Sequence, residues 1–107
     1  SVGAIFGSGG GHAYRSSKAA LLSLTRTLAM EFASDNIRLN SLCPGAMDTP
    51  MRHLAAKERA VTSPDSVPLG RIAEPAEIAR CILFLASEDS SYVTGATLIA
   101  DGGRSVV

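Results

Sequence analysis

Across positions 14–33 only Arg15, Lys18, Arg26 and Glu31 carry charge, while Leu21, Leu24, Leu28 and Phe32 recur at helical spacing. Ala19, Ala20, Leu22, Ala29, Met30 and Ala33 fill most of the remaining surface. A helix that is apolar on more than one face is buried on more than one face. The pattern therefore predicts a long helix packed on a sheet at one side and on another helix, of this chain or of another subunit, at the other.

The rest of the chain reads as the sheet that helix needs. Ser34, Asp35 and Asn36 end the helix, and residues 37–43 (IRLNSLC) read as a strand bounded by Pro44 and Gly45. Residues 50–60 predict a short helix with Met51, Leu54 and Ala55 on one side, and 61–73, with Pro64, Pro68 and Gly70, a loop. A second strong helix begins near Pro75, where a missing N–H costs nothing, and carries a stripe of Ile78, Ile82, Leu85 and Ala86. Residues 96–100 (ATLIA) are nearly all apolar, as expected of a parallel strand covered on both faces. Strand, helix and strand in that order make a βαβ unit, so the fold class is α/β in a single domain over residues 1–107. Residues 1–13, small and glycine-rich, read as a loop turning close to another surface.

Composition narrows the function. With 107 residues, 46% hydrophobic and 19% charged, the chain has enough apolar material for a core. Ten basic residues balance ten acidic ones, which argues against an electrostatic nucleic-acid binder. No apolar run approaches the ~20 residues of a membrane-spanning helix, so no membrane partner is expected. Cys43 and Cys81 lie far apart and outside any C-x-x-C pair, so neither a disulfide framework nor a zinc site is expected, and a reducing cytoplasm fits. His12 and His53 lack partners at ligand spacing, so no metal is expected; His12 is read as lining the loop or cleft and His53 as solvated.

The chemistry-bearing residues begin with Tyr14 and Lys18. Four apart at the start of the long helix, they emerge on one face with Cβ atoms ~5–6 Å apart. A phenol titrates near ~10 and is no base at neutral pH, but a fixed positive charge at ~5 Å in an effective dielectric of ~20 favours its anion by ~3 kcal/mol. A lysine one turn along can supply that charge, and the pair can then pass a proton to or from a substrate oxygen. Alone the pair is a weak signal. Ser1, across the glycine-rich bend, adds a hydroxyl for the same oxygen. The turn Pro44, Gly45, Ala46, Met47, Asp48, Thr49 adds backbone N–H groups and a hydroxyl at the carboxyl end of a strand, where α/β sheets bind ligands. Near the end stand Val93-Thr94-Gly95 and Asp101-Gly102-Gly103.

Together these residues resemble the short-chain dehydrogenase/reductase family. The resemblance rests on Ser1 with Tyr14-x-x-x-Lys18, Asn40, Pro44-Gly45-x-x-x-Thr49 and the closing Val93-Thr94-Gly95…Asp101-Gly102-Gly103, in the family's order and spacing over essentially the whole chain. It implies an NAD(P)-dependent oxidoreductase acting on a small carbonyl or secondary alcohol. Tyr14 would be general acid in reduction and base in oxidation. Lys18 would favour its anion and bond the nicotinamide ribose, and Ser1 would hold the substrate oxygen. The Met47 backbone and Thr49 would contact the carboxamide end of the cofactor. Residues 50–72 would be the substrate loop, and the long helix would pack against its twin in a homodimer or homotetramer.

The family's glycine-rich pyrophosphate loop, ribose selector and Asn-Ala-Gly segment have no counterpart here. Gly7, Gly9 and His12 do not make a G-x-G-x-x-G fingerprint, because His12 stands where glycine is needed. The expectation is therefore the carboxyl-terminal part of a Rossmann-like doubly wound parallel sheet, its last two strands with flanking helices, beginning at the catalytic serine. Alone it would be inactive and poorly stable, with the 37–43 strand presenting an open edge. The choice between NAD and NADP, and the substrate, would lie outside these residues. Met51, Leu54, Val61 and Val67 are the apolar candidates within the substrate loop. The competing expectation is a non-catalytic relative that keeps the helix interface as an oligomerisation module. Asp101 is expected to cap the closing turn, Arg71 and Glu74 to be structural, and both cysteines to be core thiols.

Overall fold

The computed structural model describes residues 1–7, 11–58 and 62–107; residues 8–10 of the glycine-rich bend and 59–61, Val61 among them, lie outside the described residues. The long helix, α1, runs His12–Glu31, beginning two residues before the expected start at Tyr14, with Gly11, at φ 68°, as its amino-terminal cap. A single turn, Ala33–Asp35, follows, and Asn36 leaves it in a left-handed conformation. Then come strand β1 (Ser41–Pro44), helix α2 (Pro50–Glu58), helix α3 (Pro75–Ala86) and strand β2 (Thr97–Ala100). The first residues are not plain loop: Val2–Ala4 form one 3-10 turn.

β1 and β2 pair in parallel with Ser41 opposite Thr97 and Pro44 opposite Ala100, and α3 makes the crossover, so the βαβ expectation holds. The first strand is shorter than residues 37–43, and the reason is what faces it. Residues 37–40 lie beside the turn that ends in Gly95, at φ 71°, rather than beside a strand. One backbone bond crosses here, from the Gly95 N–H to the Leu39 carbonyl at 2.7 Å, and side chains supply others. Thr94 Oγ1 accepts from the Leu39 N–H at 3.2 Å, and Asn40 donates to the Val93 carbonyl at 2.8 Å while accepting from the Ala96 N–H at 3.0 Å. Arg38 ties the same edge to the end of α3, donating to the carbonyls of Leu85 (3.0 Å), Ser87 (3.1 Å) and Val93 (3.3 Å) and to the hydroxyl of buried Ser90 (2.9 Å).

Two local devices fix where the strands end. Gly45 leaves β1 directly over β2's exit: a Cβ there would lie 2.7 Å from Asp101 Cα, a distance only glycine avoids. Asp101 does cap the closing turn, accepting from the N–H groups of Gly103 (2.9 Å) and Ser105 (2.7 Å). Its burial pushes the carboxyl pKa up, but the bonds from Ser105 and Gly103 outweigh that and hold it below the ordinary carboxylate value. At the start of α3, Glu77 accepts from the Glu74 N–H at 2.9 Å and pairs with both terminal nitrogens of Arg71, at 2.6 and 2.7 Å. Chiefly through the Arg71 bond, its pKa falls to about 2. Arg71 and Glu74 are structural, as expected, with Glu77 as the partner that joins them.

The core is small. Among the described residues Ala29, Cys43, Val67 and Ile78 are the buried apolar ones, and β1 touches both α1 and α3. The expectation of helices and strands covered on both faces is not met by this chain alone. Met30 on α1 is 85% exposed, Leu83 on α3 68%, and Ile99 in β2 42%. Two strands offer too little sheet to cover both helices, so their outer apolar faces open to solvent. Among the described residues, no helix is long and apolar enough to cross a membrane.

Candidate active site

α1 is stiff and begins at His12, so its third residue, Tyr14, stands at its amino-terminal end with Lys18 one turn on. Lys18 Nζ lies 5.5 Å from the centre of the Tyr14 ring, and neither the phenol hydroxyl nor the ammonium has a hydrogen-bond or ion-pair partner among the described residues. The Tyr14 side chain is more than half exposed.

Ser1 caps the Val2–Ala4 turn, its Oγ accepting from the Gly3 N–H at 3.1 Å. That bond aims the hydroxyl over Gly3, the point at which α1 arrives. A Cβ built on Gly3 would meet Ser1 Oγ at 3.3 Å, the Tyr14 ring at 3.7 Å and Arg15 Nη1 at 3.7 Å. The serine hydroxyl and the tyrosine ring thus face one hollow over Gly3, where an added Cβ would crowd the serine hydroxyl. Sequence reasoning passed over Gly3 and Arg15; the available signal was a glycine two residues after the serine.

Met47 and Thr49 lie beyond the carboxyl end of β1. Met47 bridges Ala73: the Ala73 N–H donates to the Ala46 carbonyl (3.1 Å) and the Asp48 N–H to the Ala73 carbonyl (2.9 Å). In a parallel bridge this pattern leaves the central residue's own N–H and C=O turned to the other side, and those of Met47 have no partner among the described residues. Thr49 Oγ1 accepts from the Arg52 N–H at 3.3 Å, starting α2. No hydrogen bond or ring contact among the described residues joins Met47 or Thr49 to Ser1, Tyr14 or Lys18, so the five candidates form two groups.

The remaining candidates are peripheral. His12 is exposed at the first position of α1, and Cys43 and Cys81 are free thiols, the first fully buried. His53, expected to be solvated, is exposed but paired through Nε2 with Asp48 at 2.9 Å. Among the described residues no three metal-ligating side chains cluster. A cleft of about 280 Å³ among Val67, Leu69, Ile78, Cys81, Ile99 and Asp101 contains none of the five candidates. Its walls come from α3, β2 and the residues around Val67 and Leu69, and none from α1.

A family model described as enoyl-(acyl carrier protein) reductase matches residues 1–105. The 3-oxoacyl-[acyl-carrier-protein] reductase FabG of Thermotoga maritima is 45% identical over 103 residues, 96% of this chain and 42% of that protein. The acetoacetyl-CoA reductase of Rhizobium meliloti is 42% identical over 93 residues, 85% of this chain and 38% of that protein. Among solved structures, the ligand-free aldohexose dehydrogenase of Thermoplasma acidophilum superposes on the whole chain with a TM-score of 0.91 at 34% identity, over 46% of its own length. The chain belongs to the short-chain dehydrogenase/reductase family, with the family's Rossmann-like α/β architecture. It spans about two fifths of the length of the curated relatives it matches.

Proposed function

We propose that residues 1–107 form the carboxyl-terminal portion of a nicotinamide-dependent oxidoreductase that interconverts a small-molecule carbonyl and its secondary alcohol. The observation that carries this reading is the hollow over Gly3, faced by the Ser1 hydroxyl and the Tyr14 ring within 4 Å of one point, with the Lys18 ammonium beside that ring. A hydroxyl, a phenol and a fixed cation at one place are what proton transfer to a carbonyl oxygen requires.

The residues present fit a nicotinamide group. Lys18 has a free ammonium for ribose hydroxyls, Met47 has backbone N–H and C=O groups turned outward, and the Thr49 hydroxyl retains its proton for a carboxamide oxygen. NAD or NADP, when bound, supplies or accepts the hydride. In reduction Ser1 donates a hydrogen bond to the substrate oxygen, Tyr14 gives it the phenolic proton, and Lys18 stabilises the phenolate left behind. Oxidation runs the same proton in reverse, with Tyr14 as base.

Residues 50–72, from α2 through the turn Pro64–Ser66, form the substrate loop in this reading. The exposed Leu21, Leu24 and Met30 on α1 and Ile82, Leu83 and Phe84 on α3 support a homodimer or homotetramer. The free cysteines suit the cytoplasm.

The test uses the full-length protein carrying these residues, with both cofactors, reading nicotinamide oxidation with 3-oxoacyl thioesters and simple ketones and nicotinamide reduction with aldoses. Tyr14→Phe is expected to lower kcat about a thousandfold without unfolding the protein. Turnover surviving that substitution rejects the reading in favour of a non-catalytic interaction module, which the same exposed helix faces would serve.

A further inference from the structure

The Ser1 segment and the start of α1 are separated by the glycine-rich bend, and a three-residue turn has little stiffness of its own. A side chain outside the proton chemistry ties the two together. Arg15 reaches back across the bend, where its Nη1 donates to the Phe6 carbonyl at 2.7 Å and its guanidinium carbon lies 5.8 Å from the Phe6 ring centre. The Arg104 guanidinium, from the turn Arg104–Val106 after β2, lies 5.4 Å from the same centre. Arg15 Nη1 is also one of the three groups around the absent Cβ of Gly3, with Ser1 Oγ and the Tyr14 ring.

We propose that Arg15 is a positioning residue that, anchored on Phe6, sets the distance between the Ser1 hydroxyl and the Tyr14 phenol. This rests on the roles given above to Ser1 and Tyr14. Successive helical residues point about 100° apart, so Tyr14 and Arg15 leave adjoining sides of one turn. Holding Arg15 against the 1–7 segment therefore fixes the roll of α1 where Tyr14 departs from it. Arginine suits the task because its planar fork donates a charge-assisted bond to a carbonyl while lying by a ring. Lysine keeps the charge but has no plane. A residue aligning two reacting groups governs turnover more than binding, since a misplacement of about an ångström costs rate steeply.

The experiment is a double-mutant cycle in the full-length protein, reading kcat, KM and cofactor affinity. Arg15→Ala is expected to lower kcat about tenfold at unchanged cofactor affinity, and Arg15→Lys to restore only part of it. In a Ser1→Ala background the Arg15→Ala loss should shrink below about twofold, because the hydroxyl that Arg15 positions is already gone. A residue serving stability alone would cost the same in both backgrounds, and equal losses, or Arg15→Ala with unchanged kcat, overturn the proposal. If Arg15→Ala does not fold, Phe6→Leu, which keeps the carbonyl and removes the ring, enters the same cycle under the same criterion. Turnover that survives Tyr14→Phe overturns the functional reading and this one together. An inactive Tyr14→Phe beside a fully active Arg15→Ala overturns the clamp alone.

Discussion

Around Arg38, where the chain approaches β1, polar groups are consumed by the fold: one guanidinium meets three carbonyls and the buried Ser90 hydroxyl, while Asn40 bonds on both its nitrogen and its oxygen. Around Tyr14, at the start of α1, they are held in reserve. The phenol, the Lys18 ammonium and the Met47 backbone have no hydrogen-bond partners among the described residues, although all lie within a few residues of structured elements. Polar groups that join chain to chain are tied off within the protein, whereas groups meant for a ligand must stay open to water until it arrives. On the reading proposed above, the residues left open around Tyr14 are the ones that meet a ligand, and those around Arg38 are the ones that hold the fold.

The sharpest way to break this comparison is Arg38→Ala. It orphans several acceptors at once at the end of α3, and bonds to a charged donor are worth about 1.5–3 kcal/mol each. A loss of about 3 kcal/mol or more in unfolding free energy is expected, read by chemical denaturation. A loss below about 1 kcal/mol would mean that water replaces the guanidinium and that the cluster is not structural.

Lys18→Met reverses the pattern. The long apolar stem preserves what packing there is, so stability should move by no more than about 0.5 kcal/mol. Turnover should fall about a hundredfold, because the fixed charge beside the phenol is gone. A Lys18→Met protein that is both unstable and active would place Lys18 in the same class as Arg38.

Asn40→Ala tests the shortened strand. Both of its bonds replace ladder rungs beside the turn at Gly95, and removing them should cost about 1–2 kcal/mol with kcat unchanged. Hydrogen exchange at the Ala96 N–H reads the effect directly, since that donor loses its acceptor.

These residues also mark what was legible in the sequence. The apolar stripe of α1, Pro75 at the head of α3 and the Asp101 cap are signals local to a few positions, and each is found where its pattern put it. The Tyr14–Lys18 pairing follows from helical pitch alone. The start of β1 was misplaced because residues 37–40 carry no local signal that stops a strand, and only the turn opposite them, more than fifty residues on, decides that no ladder forms there. Arg15 stood only as one of four charges on the helix for the same reason: its anchor at Phe6 lies nine residues back, where no local pattern points to it. The two-sided coverage expected of α1 and β2 is not found: Leu21, Leu24 and Met30 on α1 and Ile99 in β2 are exposed, because an apolar pattern records that a face needs cover and not what covers it.

The smallest effect lies in acid, and it belongs to the side of the molecule whose polar groups are tied off. Glu77 and Asp101 are both held below their ordinary values, Glu77 first by the Arg71 bond, Asp101 by the Ser105 and Gly103 bonds acting against burial. A carboxylate so depressed contributes stability that is fully present above its unfolded-state pKa and is lost as the pH falls through its folded-state pKa. For Glu77 that window runs from 4.5 down to about 2, and for Asp101 it opens at 3.8 and extends below. Melting temperature should therefore be flat with respect to these two groups above about pH 5 and should fall beneath it. In Glu77→Gln with Asp101→Asn the acid limb should be shallower, although the protein is somewhat less stable at neutral pH. Because the Arg71–Glu77 pair is exposed, salt should weaken its share of the slope and leave that of Asp101, whose partners at Ser105 and Gly103 are uncharged donors. An acid limb identical in the double variant and the parent would show that neither carboxylate is tied to the fold as the geometry requires.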